Sequence, residues 1–423
     1  MNSNDIRQSF LDYFESKGHK IIPSASLIPH DNSLLFTAAG MVPLKDYFLG
    51  NKQAQTPNMV SSQKCIRTID IDIIGDTDRH LSFFEMLGNF SVGKYFKEEA
   101  IKYSYEYITD VLKVDKDKLW FTVYKTDDEA YRIWKDVIGV SESRIQRGDT
   151  DNFWHMNIPG PCGPCSEIFI DRGSKYGNDG GPIGGGEDRF IEIWNLVFME
   201  SIQDEPFNVI DELPNKNIDT GMGLERISMI LQEKENLFDT DLFQPLYKAL
   251  LKNTDTSGEK YEKIIIDHIK SSTFMISDGV VPTNEGRGYV LRRLIRRAIR
   301  AYNQIKDSVD SLDYLIEIVI QIYKDSYSDL ENNKAKIIKL FKKEEELFQK
   351  TLNKGIQEIN TLITNNSLVT PQDAFYLFET FGFPYELTKE IALENKVDIN
   401  DNEFYKLYDE HKVKSKSDKN KDS

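Results

Sequence analysis

The periodicity of the apolar residues changes once along this chain, near residue 236, and that change confines it to an α+β part followed by a helical one. Before the change, short β-rich runs such as Leu119-Trp120-Phe121-Thr122-Val123-Tyr124, Arg189-Phe190-Ile191-Glu192-Ile193-Trp194 and Asn195-Leu196-Val197-Phe198-Met199 are mixed with helical segments. The runs follow one another without regular helical crossovers, which favours an antiparallel sheet over a doubly wound one. From about Leu237 onward the spacing is helical almost throughout, as in Tyr314-Leu315-Ile316-Glu317-Ile318-Val319-Ile320 and the long run from Lys334 to Leu362. Thr370-Pro371-Gln372-Asp373 reads as a helix start, with a capping hydroxyl, proline at the first helical position and an acid in the first turn. The expected organisation is a sheet domain over 1–235, a helical domain over 236–411 and a disordered polar tail over 412–423.

Composition excludes some classes. With 423 residues, 39% apolar and 29% charged, the chain is an ordinary globular one, long enough for two or three domains. No stretch of about eighteen apolar residues occurs, and Met1-Asn2-Ser3-Asn4-Asp5-Ile6-Arg7 opens an amphipathic helix rather than a signal peptide, so no membrane is implied and a cytoplasmic location is expected. The three cysteines argue against a disulfide framework. A net charge of −16 would oppose nucleic acid if it were evenly spread. It is not: Arg287 to Arg300 holds six arginines and no acid. On a helix, Arg292, Arg293, Arg296, Arg297 and Arg300 fall on one side, with Val290, Leu291, Leu294, Ile295, Ala298 and Ile299 on the other. A solvated face with salt bridges is one reading. Such faces usually alternate charge signs and this one does not, so an RNA backbone is the better partner.

The chemistry concentrates elsewhere. Asp219-Thr220-Gly221-Met222-Gly223-Leu224-Glu225-Arg226 puts two glycines, a carboxylate and an arginine at one turn-to-helix junction, where backbone can approach a ligand and a guanidinium can clamp phosphate. Upstream stand Ser62-Gln63-Lys64-Cys65-Ile66-Arg67, Arg79-His80, Phe83-Phe84-Glu85-Met86-Leu87-Gly88-Asn89-Phe90 and Gly160-Pro161-Cys162-Gly163-Pro164-Cys165-Ser166-Glu167-Ile168. The glycine-rich Gly177 to Gly186 must be a loop, and lacks the Lys-Ser/Thr that completes a P-loop.

In that order and spacing, from about Phe10 to Leu387, the chain resembles the catalytic half of the class II alanyl-tRNA synthetases. The resemblance implies an antiparallel sheet flanked by helices, and a ligase that activates alanine with ATP and Mg2+ and esterifies it to the acceptor stem of tRNA(Ala). Attack of an already ionised carboxylate on the α-phosphorus needs positioning and charge neutralisation rather than a general base. By resemblance Arg67 meets the α-phosphate and Arg226 the far phosphate end beside the adenine, while Arg79 and His80 can reach the same phosphates. Phe84 and Met86 hold the adenine, with Gly221 and Gly223 giving backbone access; Phe83 and Phe90 read as core. Asp219 suits the ammonium of alanine, Trp154 a wall of its pocket, and Asn195 and Val197 the same pocket. Glu192 is the candidate magnesium ligand.

For RNA, Thr283-Asn284-Glu285-Gly286-Arg287-Gly288-Tyr289 leading into the arginine helix matches the family's acceptor-stem reader, with Asn284 and Arg287 able to bond base edges. Leu377-Phe378-Glu379-Thr380-Phe381-Gly382-Phe383-Pro384 resembles the segment whose acid contacts the identity G·U pair, with Glu379 where many relatives carry aspartate. Cys162 and Cys165 are half of a zinc pattern, but Arg172 and Lys175 stand where some relatives carry histidines, so no zinc is expected. Relatives normally continue into an editing domain and a C-terminal dimerising domain, neither of which this sequence contains, and a monomer is expected. Two other readings stay open: an adenylating ligase that loads a carrier protein, which would not need the arginine helix, and a catalytically silent RNA-binding relative, which would not keep the ATP arginines.

Overall fold

A computed structural model describes residues 1–307 and 310–419, the last five of these in backbone only. The chain divides into two compact units, one of residues 1–67 and 83–244, the other of residues 68–82 and 245–423. The segment between Thr68 and Ser82 packs with the helical residues rather than with the strands on either side of it.

The first unit is built on nine strands: β1 Lys20–Ile21, β2 Asn58–Ile66, β3 Phe83–Val92, β4 Leu119–Tyr124, β5 Ile145–Gly148, β6 Phe153–Trp154, β7 Gly160–Asp171, β8 Phe190–Glu205 and β9 Asn208–Gly223. They lie in the order β1-β2-β3-β9-β8-β7-β4-β5, with β6 paired to β7. Every pairing from β2 through to β4 is antiparallel, as the missing crossovers imply, and only the edge pairs β1/β2 and β4/β5 are parallel, so the sheet is mixed. One face is covered by α1, Ser3–Ser16, whose Phe10 and Phe14 pack on Trp194 with ring centroids 5.5 and 6.2 Å apart. A buried ion pair fastens this helix, with Arg7 Nε and Nη2 donating to the two carboxylate oxygens of Glu85 at 2.8 Å each. The opposite face carries an apolar cluster that includes Met41, Val42, Phe48, Phe90, Cys165, Val197 and Met199.

The second unit is helical. Its principal helices are α2 Glu259–Ser277, α3 Gly286–Ile305, α4 Lys334–Asn366, α5 Pro371–Phe381, α6 Tyr385–Glu394 and α7 Asp401–Lys419. α5 begins as expected, with Thr370 Oγ1 accepting from Asp373 N at 3.1 Å and the Asp373 carboxylate accepting from Thr370 N at 2.9 Å. α7 continues to Lys419 and so takes in most of the stretch expected to be a disordered tail, while 420–423 lie outside the described residues. Aromatic packing explains where that helix starts: Phe404 stacks on Tyr385 at 3.9 Å, and Tyr408 meets Phe378 at 5.7 Å.

Candidate active site

Two transverse rows of the sheet gather the pocket residues. In one, Cys165, Val197, Asp219 and Phe90 are successive cross-strand partners on β7, β8, β9 and β3. In the next, Thr122, Glu167, Asn195 and Gly221 are partners on β4, β7, β8 and β9. Neighbouring strands hold side chains of one face about 5 Å apart, so residues as far apart in sequence as Phe90 and Asp219 form one floor. Trp154 pairs with Gly163 and packs against the apolar cluster of Val197 and Cys165, as does Met86. Thus Trp154, Asn195, Val197 and Asp219, read from sequence as one pocket, come together, and Gly221, read as part of the nucleotide site, lies on the same floor. Ala39 and Met41, from the loop before Val42, belong to the same cluster and were not singled out, because nothing in their local sequence marks them.

Asp219 is 5% exposed, and burial pushes its carboxyl up to about 8. An empty pocket at neutral pH therefore favours the neutral acid, and a cationic ligand would restore the carboxylate by supplying the charge that water cannot. Asn195 Oδ1 is buried with no hydrogen bond of ordinary length, the Cys165 thiol being its neighbour, so an acceptor faces the same floor. Gly221 keeps that floor open: a Cβ there would stand 2.7 Å from Met86 Sδ. The two glycines do not form a turn. β9 runs to Gly223, which is the extended N-cap of the helix Leu224–Leu231.

The arginines stand at the margins of this floor. Arg67, exposed just past the end of β2, places its guanidinium 4.9 Å from the centre of the Phe84 ring and donates to Ala38 O at 3.3 Å. Arg226, in the first turn of the helix after Gly223, donates to Glu192 O at 3.3 Å. Beside it, Glu167 is buried, and burial and then the charge of Glu192 raise its carboxyl well above the ordinary range. Sequence reasoning named Glu192 and passed over Glu167, although the residue lies in the quoted Cys165-Ser166-Glu167 run; only the sheet register brings the two together. A buried carboxyl raised by the charge of a second one beside it is what a divalent cation would relieve. Among the described residues no group of three or more histidine, cysteine or carboxylate side chains is arranged to hold a metal.

Cys162 and Cys165 are buried on β7, where burial pushes the first thiol up to about 11 and raises the second well above the ordinary thiol range. The glycine between them is structural: a Cβ at Gly163 would come within 1.9 Å of Phe198 O, in the irregular stretch of the β7/β8 pairing. Phe83 and Phe90 lie in the core at 1% and 0% exposure.

In the helical unit, the residues expected to read RNA separate into two groups. Asn284 is exposed at the approach to α3, and Arg287 is half-buried in its first turn. The face that follows is not open to solvent: Arg296, Arg297 and Arg300 are 7%, 3% and 6% exposed. Arg292 and Arg296 both donate to Glu344 Oε1, at 2.7 and 2.9 Å, Arg300 makes a two-pronged pair with Glu394 at 2.8 and 2.7 Å, Arg297 pairs with Glu390 at 2.9 Å, and Arg293 pairs with Asp72. The salt-bridged face that the sequence reading set aside in favour of RNA is therefore present, because the acids come from α4, α6 and the 68–82 segment rather than from the helix itself. Glu379 is exposed and pairs with His411 Nδ1 at 3.0 Å. Arg79 and His80 lie in the 68–82 segment, with His80 Nδ1 2.8 Å from Thr77 Oγ1.

The chain belongs to the tRNA synthetases class II (A), whose family model matches residues 5–423. It is 48% identical over 433 residues to the alanine–tRNA ligase of Fusobacterium nucleatum, covering 99% of this chain and 50% of that one. Similar matches are the alanine–tRNA ligases of Thermobifida fusca, 44% identical over 441 residues, and Thermotoga maritima, 46% identical over 433, each covering 99% of this chain and 50% of its relative. The chain thus spans about half the length of the curated relatives it matches.

Proposed function

We propose that this chain carries out ATP-dependent activation of alanine and its transfer to the acceptor stem of tRNA(Ala). The observation that carries the reading is Asp219: a carboxyl buried beside Val197 and one row from Asn195, in a floor walled by Trp154 and Met41, suits a small ligand that brings its own positive charge. Alanine would seat its ammonium on Asp219 and its methyl against Val197 and Trp154. Its carboxylate oxygen would bond to the α-phosphorus of ATP as the bond from that phosphorus to pyrophosphate breaks. Arg67, held over Phe84, would take the α-phosphate; Phe84 and Met86 would hold the adenine, with Arg226 beside it at the leaving end and Arg79 and His80 on the same phosphates. Mg2+ would be held by Glu192 and Glu167 and would supply charge neutralisation to the departing pyrophosphate. Gly221 and Gly223 leave the backbone accessible to the ligand.

RNA would be read at Asn284 and Arg287, with Glu379 on the other groove. Arg292 and Arg293 retain partial exposure for phosphate contact, whereas Arg296 and Arg297 serve mainly to hold α3 in place. We place the activity in the cytoplasm; no helix of the described residues is long and apolar enough to cross a membrane. The test is pyrophosphate exchange with a panel of amino acids, followed by charging of a minimal acceptor hairpin. Exchange driven by alanine above all others supports the reading, and exchange driven best by another amino acid overturns it.

A further inference from the structure

The segment from Thr68 to Ser82 joins the end of β2 to the start of β3, yet it packs as part of the helical unit. Arg297 of α3 holds its first half: Nη1 donates to Ile71 O at 2.9 Å and Nη2 to Ile74 O at 3.3 Å, while Nε donates to Glu390 Oε2 at 2.9 Å. The same Nη1 lies 2.9 Å from His268 Nε2. Because a guanidinium only donates, Nε2 must be the unprotonated nitrogen, which leaves the ring proton on Nδ1, 2.8 Å from Asp267 Oδ2. Asp267 holds the other end of the segment, accepting from Ser82 N at 2.9 Å through Oδ1 and from Ser82 Oγ through Oδ2, with Ser271 Oγ 2.6 Å from the same hydroxyl. Ser82, Asp267, His268 and Arg297 are all buried. One network thus grips both ends. Nearer the surface, Lys263 pairs with Asp78 at 2.6 Å, Lys260 with Asp76 at 3.0 Å, and Arg293 with Asp72. Arg79 and His80 lie between the two grips.

We propose that Arg297 is a positioning residue for the nucleotide: by binding Ile71 and Ile74 directly, and Ser82 through His268 and Asp267, it fixes the course of the segment that presents Arg79 and His80. The inference rests on the assignment of those two side chains to ATP. A buried fork that meets three carbonyls, of Ile71, Asp72 and Ile74, with a carboxylate and an imidazole from one plane, cannot be replaced by a point charge. A residue of the helical unit, chosen from sequence as a phosphate grip for RNA, therefore governs ATP handling when no RNA is present.

The test uses the full chain without RNA. Arg297→Lys keeps a cation beside Glu390 and loses the fork. Glu394→Gln is the control, since it weakens the comparable Arg300 pair on the same helix, which does not hold the segment. KM for ATP and KM for alanine are measured separately in pyrophosphate exchange, together with amide hydrogen exchange across 68–82. In Arg297→Lys, KM for ATP should rise about tenfold or more with KM for alanine nearly unmoved, and protection across 68–82 should fall; Glu394→Gln should do neither. Wild-type ATP affinity and protection in Arg297→Lys overturn the proposal, as does an equal effect from Glu394→Gln, which would mean general loosening of the helices. If the parent chain exchanges with no amino acid, the proposed activity fails instead, and unchanged protection in Arg297→Lys would still refute the grip.

Discussion

The guanidinium of Arg67 lies over the ring of Phe84, 4.9 Å from its centre, so the cation is held over an aromatic face at the end of β2. That arrangement spares part of the entropy a flexible arginine would otherwise lose on meeting a phosphate. Arg67→Ala should lower alanine-dependent pyrophosphate exchange by about a hundredfold or more, since charge-assisted contacts strengthen as pyrophosphate departs. The circular dichroism spectrum should be unchanged, because the side chain is exposed. Near-parental exchange by a folded variant would remove Arg67 from the α-phosphate.

Burial raises Asp219 from an ordinary 3.8 to about 8. Between those values the folded chain keeps a proton that the unfolded chain has released, so this residue lowers stability progressively as pH rises from about 4 to about 8, and adds no pH dependence outside that window. In Asp219→Asn the penalty is absent. Its melting temperature should exceed the parent's by a margin that widens from pH 5 to pH 8, and its KM for alanine should rise steeply. In the parent, KM for alanine should fall over the same range as the carboxylate becomes available to the ammonium. A stability difference that does not vary with pH would show that the carboxyl is ionised throughout.

These two sites were legible in sequence because each sits in a run of unusual residues: Arg67 closes a strand, and Asp219 stands two residues before Gly221. Periodicity likewise separated sheet from helices, since period 2 and period 3.6 leave different traces. What stayed hidden is what only tertiary pairing creates. Glu167 gains its significance from lying one row from Glu192, and the acids that neutralise α3 are Glu344, Glu390 and Glu394, about 50 to 95 residues beyond the arginines they meet. A charge pattern read along one helix cannot see partners on another, so a buried ion-paired face looked like an exposed basic one. The allegiance of residues 68–82 was hidden for the same reason.

Glu344 tests that account of the arginine helix. It is 3% exposed and is shared by Arg292 and Arg296. Removing it leaves Arg296 buried without its acid, and breaking a pair of this kind costs about 3–5 kcal/mol. Glu344→Ala should therefore unfold at markedly lower urea than the parent, with Glu344→Gln in between. If Glu344→Ala were as stable as the parent, the arginines would be free enough to serve RNA.

The pocket floor also sets a limit on selectivity. A wall formed by Val197 and Trp154 can exclude larger side chains, but glycine differs from alanine by one methyl, worth about 1–3 kcal/mol. Glycine-dependent exchange should be detectable, with kcat/KM about 10 to 200 times below that for alanine. Discrimination beyond about ten-thousandfold would require a contact to the methyl that this floor does not contain.

Asn284 offers a separation of activation from transfer. It is exposed ahead of α3, and its carbonyl accepts from Tyr408 Oη at 3.1 Å, so the backbone there is fastened while the side chain remains toward solvent, accepting from the Arg292 guanidinium. Removing a base-edge contact costs about 1–3 kcal/mol, or roughly ten- to a hundredfold. Asn284→Ala should leave pyrophosphate exchange at the parental level and lower charging of an acceptor hairpin by about that factor, with the loss concentrated on hairpins carrying the G·U pair. Tyr408→Phe should have a smaller effect of the same kind, because it loosens the backbone without removing the amide. Equal loss of exchange and charging in Asn284→Ala would mean that this position supports the fold instead of the RNA.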